Sequence, residues 1–488
     1  MASETSATNA DRQAVTIVAR QDRITVWSLP PIFLFVLGLG FLFTFYDIFD
    51  INVSFIQTCV QIVPTCSPAT ASSYLGVPVL INLIGYVLGA LVLTPLADRF
   101  GRRDLLLITL IITGLGSLYT AFTNDLITFN LARFITGIGI GADLAIVNTY
   151  INEVAPRGAR ARYTSLIFIN SATGALIGIW LGLLLTTEST AFPLGLPFAL
   201  ASASFSYGWR LMYAIGALLA IVGILLRFQL PESPRWLILR RRVDEADAIV
   251  TQMETRAASR QVLEPISEEV TLPVTRNTDK VGYREIFTNP LYLRRTLIML
   301  LIWLFGYVTV YTISAGFTSV LATLGYPPPE GGLITAIGGF GFLICAVFAY
   351  AFGERLERKL WLPIGTVITL VGGIMIALAG KFSDPHSVPF VAFIGSIILF
   401  FGFNIWVPMT YAWSTENYPT RARTTGFGIV DGVGHIGGGF GLLVVAPLVL
   451  QLGALNSMLL IGGFMVVSSI VAQFGIASRG RLLDEVSP

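Results

Sequence analysis

Charged side chains are scarce in this sequence. Only 12% of its 488 residues are Asp, Glu, Lys or Arg, whereas 54% are hydrophobic, and the mean hydropathy is +0.74. Soluble domains carry about 25% charged residues, so this chain has too few to cover the surface of a soluble protein of its size. The composition therefore indicates a membrane protein.

Histidine, cysteine and excess charge are also nearly absent, and each absence excludes a class of function. Two histidines and three cysteines provide no cluster with metal-ligand spacing, and the chain has no phosphate-binding loop or nucleophile motif. We therefore predict no enzyme activity, no cofactor and no metal. The net charge of +2 comes without the clustered basic residues of a nucleic-acid binder, so we expect no nucleic-acid partner.

The three cysteines carry little information. Cys59 and Cys66 fall in an uncharged loop region, where a disulfide is chemically permitted if the compartment is oxidising. The sequence leaves this pairing open, and two free thiols are the simpler expectation. Cys345 falls inside a hydrophobic run and is expected to pack there.

Long hydrophobic runs are abundant instead. A bilayer core of about 30 Å needs about 20 apolar residues per helix, and twelve runs meet this requirement. The first run is too long for a signal-peptide core and lacks a cleavage site of small residues, so we expect it to remain as a span. Short strands of the barrel type are not seen. We predict an all-α membrane protein with transmembrane helices near residues 31–56, 75–97, 104–122, 127–150, 163–186, 209–229, 295–316, 331–352, 361–380, 389–412, 424–447 and 455–477.

Basic residues are concentrated in alternate loops. The short loops after spans 2, 4, 8 and 10 hold eleven of them, whereas the short loops on the other side hold only Arg210 and Lys381. Cytoplasmic loops carry the excess of Lys and Arg in membrane proteins. We therefore predict a multi-pass protein of the cell membrane with both termini in the cytoplasm.

One long polar stretch, at about 231–291, divides the chain into six spans and six spans. Similar phrases recur at matching places in the two halves: "ADRFGRRD" after span 2 and "GERLERKL" after span 8, then "NEVAPRGARAR" after span 4 and "TENYPTRARTT" after span 10. Parallel six-helix repeats with a site between them are a transporter architecture. We predict six-helix bundles at 31–230 and 292–477, a cytoplasmic central loop at 231–291, and cytoplasmic tails at 1–30 and 478–488.

These phrases carry a family resemblance over roughly residues 31–477. "ADRFGRR" resembles the loop 2–3 signature of the major facilitator superfamily, and "PESPRWL" (231–237) resembles the phrase that ends span 6 in sugar porters. "RFITGIGIGAD" (133–143) resembles span 4 of sugar porters and of metabolite–proton symporters, and "ENYPTRAR" resembles the loop after span 10 in the same groups.

The resemblance implies the major facilitator fold and a secondary active transporter that works by alternating access. It favours proton-coupled symport, with a small-molecule substrate, protons and the lipid bilayer as partners, and a monomeric protein. A passive uniporter is one alternative, and a non-transporting membrane receptor or sensor on the same fold is another.

Two better-defined groups differ from this chain at informative positions. Span 7 reads "LLIWLFGYVTVYT" and lacks the paired glutamines of sugar porters. Phosphate symporters place an acid in span 7 and a lysine in span 11, where this chain has Tyr307 and His435. We therefore expect a small polar or weakly ionic metabolite, and these positions favour neither hexose nor phosphate.

Ionisable residues inside the spans are candidates for proton coupling, because a charge at membrane depth is costly and usually functional. Asp47 in span 1 and Arg133 in span 4 can share a depth, since the two spans run in opposite directions. The resemblance implies that they pair and couple protons, and that Asp143 matches a coupling aspartate of phosphate symporters. A permanent ion pair is the alternative for the first two, and a structural hydrogen-bonding role is the alternative for Asp143. For Asp50 two roles stay open: a functional one, and a position that only faces the outer vestibule.

Polar and aromatic side chains in the middle of the spans are candidate substrate ligands. The predicted substrate site consists of Trp303, Tyr307 and Tyr311 in span 7, Asp431 and His435 in span 11, Asn170 in span 5, and Asn404 and Trp406 in span 10. The span 7 residues form one helical stripe, for which simple packing is the alternative. The span 11 pair lies one turn apart on a helix, and a mutual contact without substrate is its alternative.

Charges at the ends of the spans beside the basic loops are candidates for a cytoplasmic gate. The first half holds Asp98, Arg102, Glu153 and Arg160, and the second half mirrors them with Glu354, Arg358, Glu416 and Arg423. Such charges can bridge helices in one conformation and separate in the other, and the resemblance implies a gate of this kind. A role in orientation alone is the alternative.

Overall fold

The computed structural model describes residues 9–67, 70–156, 158–266, 282–382, 390–445, 448 and 451–487. No β-strand occurs within these ranges, and most of the residues in them are helical. The basic residue Arg157, residues 267–281 of the predicted central loop, the outer parts of both predicted tails and the predicted span ends at 389 and 447 lie outside the described residues.

The N-terminal half contains six long helices with shorter ones before and after them. They are α1 (Asn9–Asp22), α2 (Pro31–Ile62), α3 (Ala71–Phe100), α4 (Arg102–Ala121), α5 (Leu126–Val154), α6 (Arg160–Thr186), α7 (Gly208–Arg227), α8 (Pro234–Leu239) and α9 (Val243–Ala258).

The C-terminal half repeats this order with more interruptions. It contains α10 (Gly282–Thr288), α11 (Pro290–Ser314), α12 (Phe317–Thr323), α13 (Pro328–Phe352), α14 (Arg358–Phe382), α15 (Phe390–Glu416), α16 (Arg423–Gly434), α17 (Ile436–Phe440), α18 (Ala454–Ala472) and α19 (Leu483–Val486). A 3-10 turn at Thr420–Ala422 precedes α16, and a π-helical turn at Gly441–Val445 follows α17.

Among the described residues, twelve segments are long and apolar enough to cross a membrane, so the predicted number of spans is confirmed. They are α2 to α7, α11, α13 to α15, the run Thr420–Val445 that contains α16 and α17, and α18. Several spans are longer than predicted. Helix α2 continues to Ile62 instead of ending near 56, because Thr58, Cys59 and Ile62 in its last turns are buried against the protein.

The spans form two six-helix bundles, which is the major facilitator fold predicted from the resemblance. In the first bundle α2 packs along α6 and α3 along α5, and in the second α14 and α13 both pack along α15. Glycines allow the closest approach: a Cβ on Gly137 of α5 would lie 2.0 Å from the carbonyl oxygen of Asn82 on α3. The bundles meet where α6 contacts α13 and α3 contacts α16.

Helix α1 is docked onto the connection between the two bundles. Ile17 is buried with Trp236 of α8 and Val250 of α9. Glu254 of α9 accepts hydrogen bonds from Arg20 at 2.7 Å and from Arg23 at 2.5 Å. Burial raises the pKa of Glu254, but these hydrogen bonds more than offset it and leave the pKa below its usual value. Glu254 therefore stays charged, and keeps its contacts with Arg20 and Arg23, at a more acidic pH than an ordinary glutamate would.

Cys59 and Cys66 form a disulfide, so the simpler expectation of two free thiols is wrong. The chain leaves α2 in a turn in which the Cys66 N–H donates to the Val63 carbonyl at 3.0 Å. This turn brings Cys66 back beside the last residues of the helix. Cys345 is buried in α13, as predicted.

Candidate functional site

A cavity lies between the two bundles, where α2 and α5 meet α11, α15 and the end of α16. It holds about 390 Å³ of empty space, including its mouth. The residues that line it are Phe45, Ile48, Phe49, Leu144, Tyr307, Val310, Tyr311, Ser314, Phe403, Asn404, Val407, Tyr411 and His435. Aromatic rings form much of its wall, and no Lys, Arg, Asp or Glu is among these residues.

The bundles are joined at the end that carries the loops after α3, α5, α13 and α15, which we call the basic end. The Thr425 N–H of the second bundle donates to Asp98 of the first at 2.9 Å. In the reverse direction, the Ala161 N–H of the first bundle donates to Glu354 of the second at 2.7 Å. These hydrogen bonds close the basic end.

The opposite end of the bundles is closed as well. Asn52 of α2 donates to the Ser314 carbonyl at the end of α11 at 2.8 Å and accepts from the Thr318 hydroxyl of α12 at 2.7 Å. Hydrogen bonds therefore join the two bundles at both ends.

Three of the four predicted gate residues of the first half form one group around an arginine. Arg102 lies 3.0 Å from both Asp98 and Glu153, and its side chain is fully buried. Ser233, which follows the last span of this half, donates to the other oxygen of Glu153 at 2.5 Å. The group is therefore a buried arginine shared by two carboxylates.

The second half repeats this group. Arg358, also fully buried, lies 2.8 Å from Glu354 and 3.3 Å from Glu416. Ser478, which follows the last span of this half, donates to Glu416 at 2.6 Å. The two serines were not predicted as site residues from the sequence, although each occupies the same place after the sixth span of its repeat.

The remaining two gate arginines make contacts across the bundles. Arg423 of the second half lies 3.6 Å from Glu153 of the first. Arg160 of the first half donates to the Arg481 carbonyl, which follows the last span, at 3.0 Å. All eight predicted gate residues thus lie in one polar layer at the basic end, in which Glu354 is partly exposed and the arginines are buried.

The predicted coupling residues Asp47 and Arg133 are in direct contact. The Arg133 Nη1 atom lies 3.0 Å from Oδ1 and 2.9 Å from Oδ2 of Asp47, and both side chains are buried. Asp50 is fully buried too, so it does not face an open vestibule. It interacts electrostatically with Asp47 and Arg133. Neither of its carboxyl oxygens has a hydrogen-bond partner among the described residues.

Asp143 lies apart from the cavity. It pairs with Arg227 at the end of α7 at 2.5 and 3.0 Å, and it accepts from the Thr109 hydroxyl at 2.8 Å. Arg227 was not among the residues predicted from the sequence, although Arg227 is an ionisable residue inside the predicted sixth span. Its contact makes Asp143 part of a buried ion pair within the first bundle, and a coupling role for Asp143 stays a prediction.

Asp431 is held by tyrosines rather than by a cation. Its two oxygens accept from Tyr86 at 2.5 Å and from Tyr307 at 2.6 Å, and the Tyr411 hydroxyl lies 3.1 Å from that of Tyr307. The His435 Nδ1 atom lies 2.7 Å from the Asp431 backbone carbonyl. A carbonyl oxygen can only accept, so Nδ1 donates and Nε2 is the ring nitrogen available to a ligand.

The two predicted tryptophans lie behind the cavity wall. Trp303 donates to the Ser414 hydroxyl at 2.8 Å and Trp406 donates to the Ser468 hydroxyl at 3.1 Å. Their ring centroids are 4.9 Å apart, and Trp303 stacks on Tyr307 at 4.8 Å. The tryptophans therefore support the tyrosine that lines the cavity and do not line it themselves.

The two predicted asparagines are in different places. Asn404 lines the cavity and donates to the Phe400 carbonyl at 2.7 Å. Asn170 lies against α2, where a Cβ on Gly38 would be 2.3 Å from its side-chain nitrogen, and it is not among the cavity residues.

Tyr86 and Tyr411 were not among the residues predicted from the sequence. Both are tyrosines inside predicted spans, and this property could have identified them.

Two repeated bundles, a cavity between them and polar contacts that join them at either end define a secondary transporter of the major facilitator superfamily. The chain belongs within it to the sugar (and other) transporter family, whose family model matches residues 32–487. The family and the curated relatives are transporters, so the prediction that the chain is not an enzyme is confirmed.

Curated relatives and solved structures match three quarters or more of this chain. The niacin transporter NiaP of Acinetobacter baylyi is 27% identical over 482 residues, which cover 96% of this chain and 99% of that protein. The 4-hydroxybenzoate transporter PcaK of Pseudomonas aeruginosa is 27% identical over 75% of each chain. The structure of the proton:xylose symporter XylE bound to 6-bromo-6-deoxy-D-glucose is similar in fold, with a TM-score of 0.73, 22% identity and coverage of 96% and 98%.

Proposed function

We propose that this transporter is a proton-coupled symporter of a small aromatic acid or a closely related neutral compound. The observation that carries the coupling is the arrangement of one arginine with two buried carboxyl groups. Arg133 can neutralise only one of Asp47 and Asp50. A second buried charge without a partner costs several kcal/mol, so one bound proton on the pair makes the site neutral.

The proton site and the cavity are built on the same turns of α2. Ile48 and Phe49, which line the cavity, lie between Asp47 and Asp50 in the chain. A movement of α2 that opens the cavity to water also changes the surroundings of both carboxyl groups. Water then stabilises the charged form, and the proton is released on the side that opens. Proton binding and the conformational cycle are coupled in this way.

The chemistry of the cavity favours an aromatic substrate over a sugar. Phe45, Phe49, Tyr311 and Tyr411 present ring faces and edges to it, and rings of this kind prefer to pack against another ring. A sugar would need many hydrogen bonds, whereas the cavity offers few free polar atoms. His435 supplies one of them through Nε2. The names of NiaP and PcaK, which transport niacin and 4-hydroxybenzoate, support the same substrate class.

We expect aromatic ligands to stabilise the purified protein and sugars not to. A ligand present at 100 times its Kd stabilises the native state by about 2.7 kcal/mol, which raises the melting temperature by a measurable amount. A thermal-shift screen should compare nicotinic acid, nicotinamide, 4-hydroxybenzoate and benzoate with xylose, arabinose and glucose. A shift with a sugar and none with the aromatic compounds would reject the substrate class but leave the coupling proposal intact.

We also propose that the basic end faces the cytoplasm, that both termini lie there, and that the protein works as a monomer. A short tag inserted at residue 64 should then be labelled from outside sealed, right-side-out cells. A tag at residue 265 should be labelled only after the cells are permeabilised. Labelling of residue 265 in sealed cells would contradict this orientation, and labelling of both tags in permeabilised cells is the control for access.

A further inference from the structure

A second cavity opens at the basic end, outside the substrate site. It lies between the first turns of α11 and the end of α18, and it holds about 420 Å³ of empty space, including its mouth. Leu291, Arg294, Arg295 and Ile298 of α11 line one side, and Phe474 lines the other. Nothing in the proposed transport mechanism uses this cavity.

The cavity faces the surroundings of the protein through apolar side chains. Leu291 is 42% exposed and Phe474 is 68% exposed, and Leu297 on the outer face of α11 is 53% exposed. Exposed residues of this kind on a spanning helix contact lipid chains. The cavity is therefore open to the bilayer at the level where the spans begin and end.

Two arginines give the mouth of this apolar cavity a positive charge. Arg294 is exposed, and no carboxylate within the described part of the chain lies at ion-pair distance from it. Within the described ranges, the acceptors of Arg295 are all neutral: the carbonyls of Asn417 at 3.1 Å and Val486 at 2.9 Å, and the Ser487 hydroxyl at 3.2 Å. Its Nε atom is buried and has no hydrogen-bond partner among the described residues.

We propose that this cavity binds an anionic phospholipid, with the headgroup phosphate on Arg294 and Arg295 and an acyl chain along the outer face of α11. The planar guanidinium group matches a phosphate through two parallel hydrogen bonds, and basic pockets between spans at this level bind anionic headgroups. The apolar lining distinguishes the site from one for free phosphate, because only a lipid fills both of its parts.

The site is linked to the gate through Arg295. Asn417, which accepts from Arg295, directly follows the gate residue Glu416. Ser487 accepts from Arg295 and donates to the Glu416 carbonyl at 2.7 Å. A phosphate on the free face of Arg295 fixes its guanidinium group and with it these contacts. Bound lipid therefore stabilises the closed basic end.

Native mass spectrometry of the full-length protein with phosphatidylglycerol or phosphatidylcholine of the same acyl chains tests the site. The wild type should retain phosphatidylglycerol, and Arg294→Gln should bind it about fivefold more weakly, since one arginine near an anionic surface contributes about that factor. Arg294→Gln leaves the contacts of Arg295 to the gate in place. Its melting temperature without anionic lipid should equal that of the wild type.

Arg99→Gln is the matched control. Arg99 is also an exposed arginine at the basic end, in the last turn of α3. It lies over the Phe100 ring and lines neither the substrate cavity nor this second cavity. It should retain phosphatidylglycerol at the wild-type level. Equal losses in both variants, or no loss in Arg294→Gln, would overturn the proposal in favour of diffuse surface charge. Displacement of the lipid by inorganic phosphate at comparable concentration would overturn it in favour of a simple anion site.

Discussion

Replacing Asp47 by asparagine is expected to abolish proton-driven accumulation of substrate while exchange of substrate continues. Asparagine preserves the size and hydrogen bonding of aspartate but cannot titrate, and Asp50 then pairs alone with Arg133. In vesicles with a gradient of one pH unit and no membrane potential, one-for-one symport sustains about tenfold accumulation, because 1.4 kcal/mol corresponds to a factor of ten. The variant should reach a ratio near one.

Asp50→Asn should give the same result, because it removes the other member of the pair that holds the proton. Asp143→Asn is the matched control: Asp143 is a buried aspartate that pairs with Arg227 away from the cavity. This control should lose stability, since a buried arginine is left without its partner, but the folded fraction should still accumulate substrate. Uptake, counterflow and melting temperature are measured on all three variants.

Full accumulation by well-folded Asp47→Asn protein would refute the assignment. If Asp143→Asn alone abolished accumulation, the coupling role would move to that residue. If the wild type itself failed to accumulate substrate but exchanged it, the protein would be a passive uniporter, and the ion pair would be structural.

The double change Arg102→Ala with Arg358→Ala should open the basic end. Each arginine is fully buried between two carboxylates, and its removal takes away the cation that lies between them, although Arg423 stays 3.6 Å from Glu153. In the open state water reaches these carboxylates, so the free-energy cost of leaving them without the arginine falls mainly on the closed state. Breaking one buried pair costs about 3 kcal/mol or more, so the ratio of closed to open protein should fall by two orders of magnitude or more.

Distance distributions between probes on the loops after α3 and α13 measure this shift. The double variant should show a longer distance without substrate, whereas the wild type keeps the short one. Arg242→Ala is the control, because Arg242 makes an exposed ion pair with Glu245, which contributes little, and otherwise lies over the Trp236 ring at 5.9 Å, away from the two buried arginines. An unchanged distribution in the double variant would leave the two arginines as determinants of orientation only.

The fold could be predicted from the sequence because the bilayer restricts the choices. Only long apolar helices or closed barrels can cross it, so composition and run length were sufficient to find the twelve spans. The interruptions were not predictable in this way. The break between α11 and α12 and the π-helical turn at Gly441–Val445 depend on packing between helices, which hydropathy does not report.

Charge and repetition in the sequence singled out residues that the structure places in contact with one another. Asp47 and Arg133 are rare charges in apolar runs, and the predicted gate residues recur in both halves. The role of a side chain in the cavity wall was harder to predict. Trp303 and Tyr307 lie one turn apart on α11, yet only Tyr307 lines the cavity. Which face of a helix meets the cavity depends on its rotation in the bundle, and a uniformly apolar span carries no periodic signal for that rotation.

The state of the three cysteines makes the natural chain a ready background for site-directed thiol chemistry. Cys59 and Cys66 are joined to each other, and Cys345 is buried in α13. The sequence contains no other cysteine. A maleimide or methanethiosulfonate reagent should therefore leave the folded, oxidised protein unmodified. A cysteine introduced on any loop would then be the single reactive position, and no native residue would have to be replaced first.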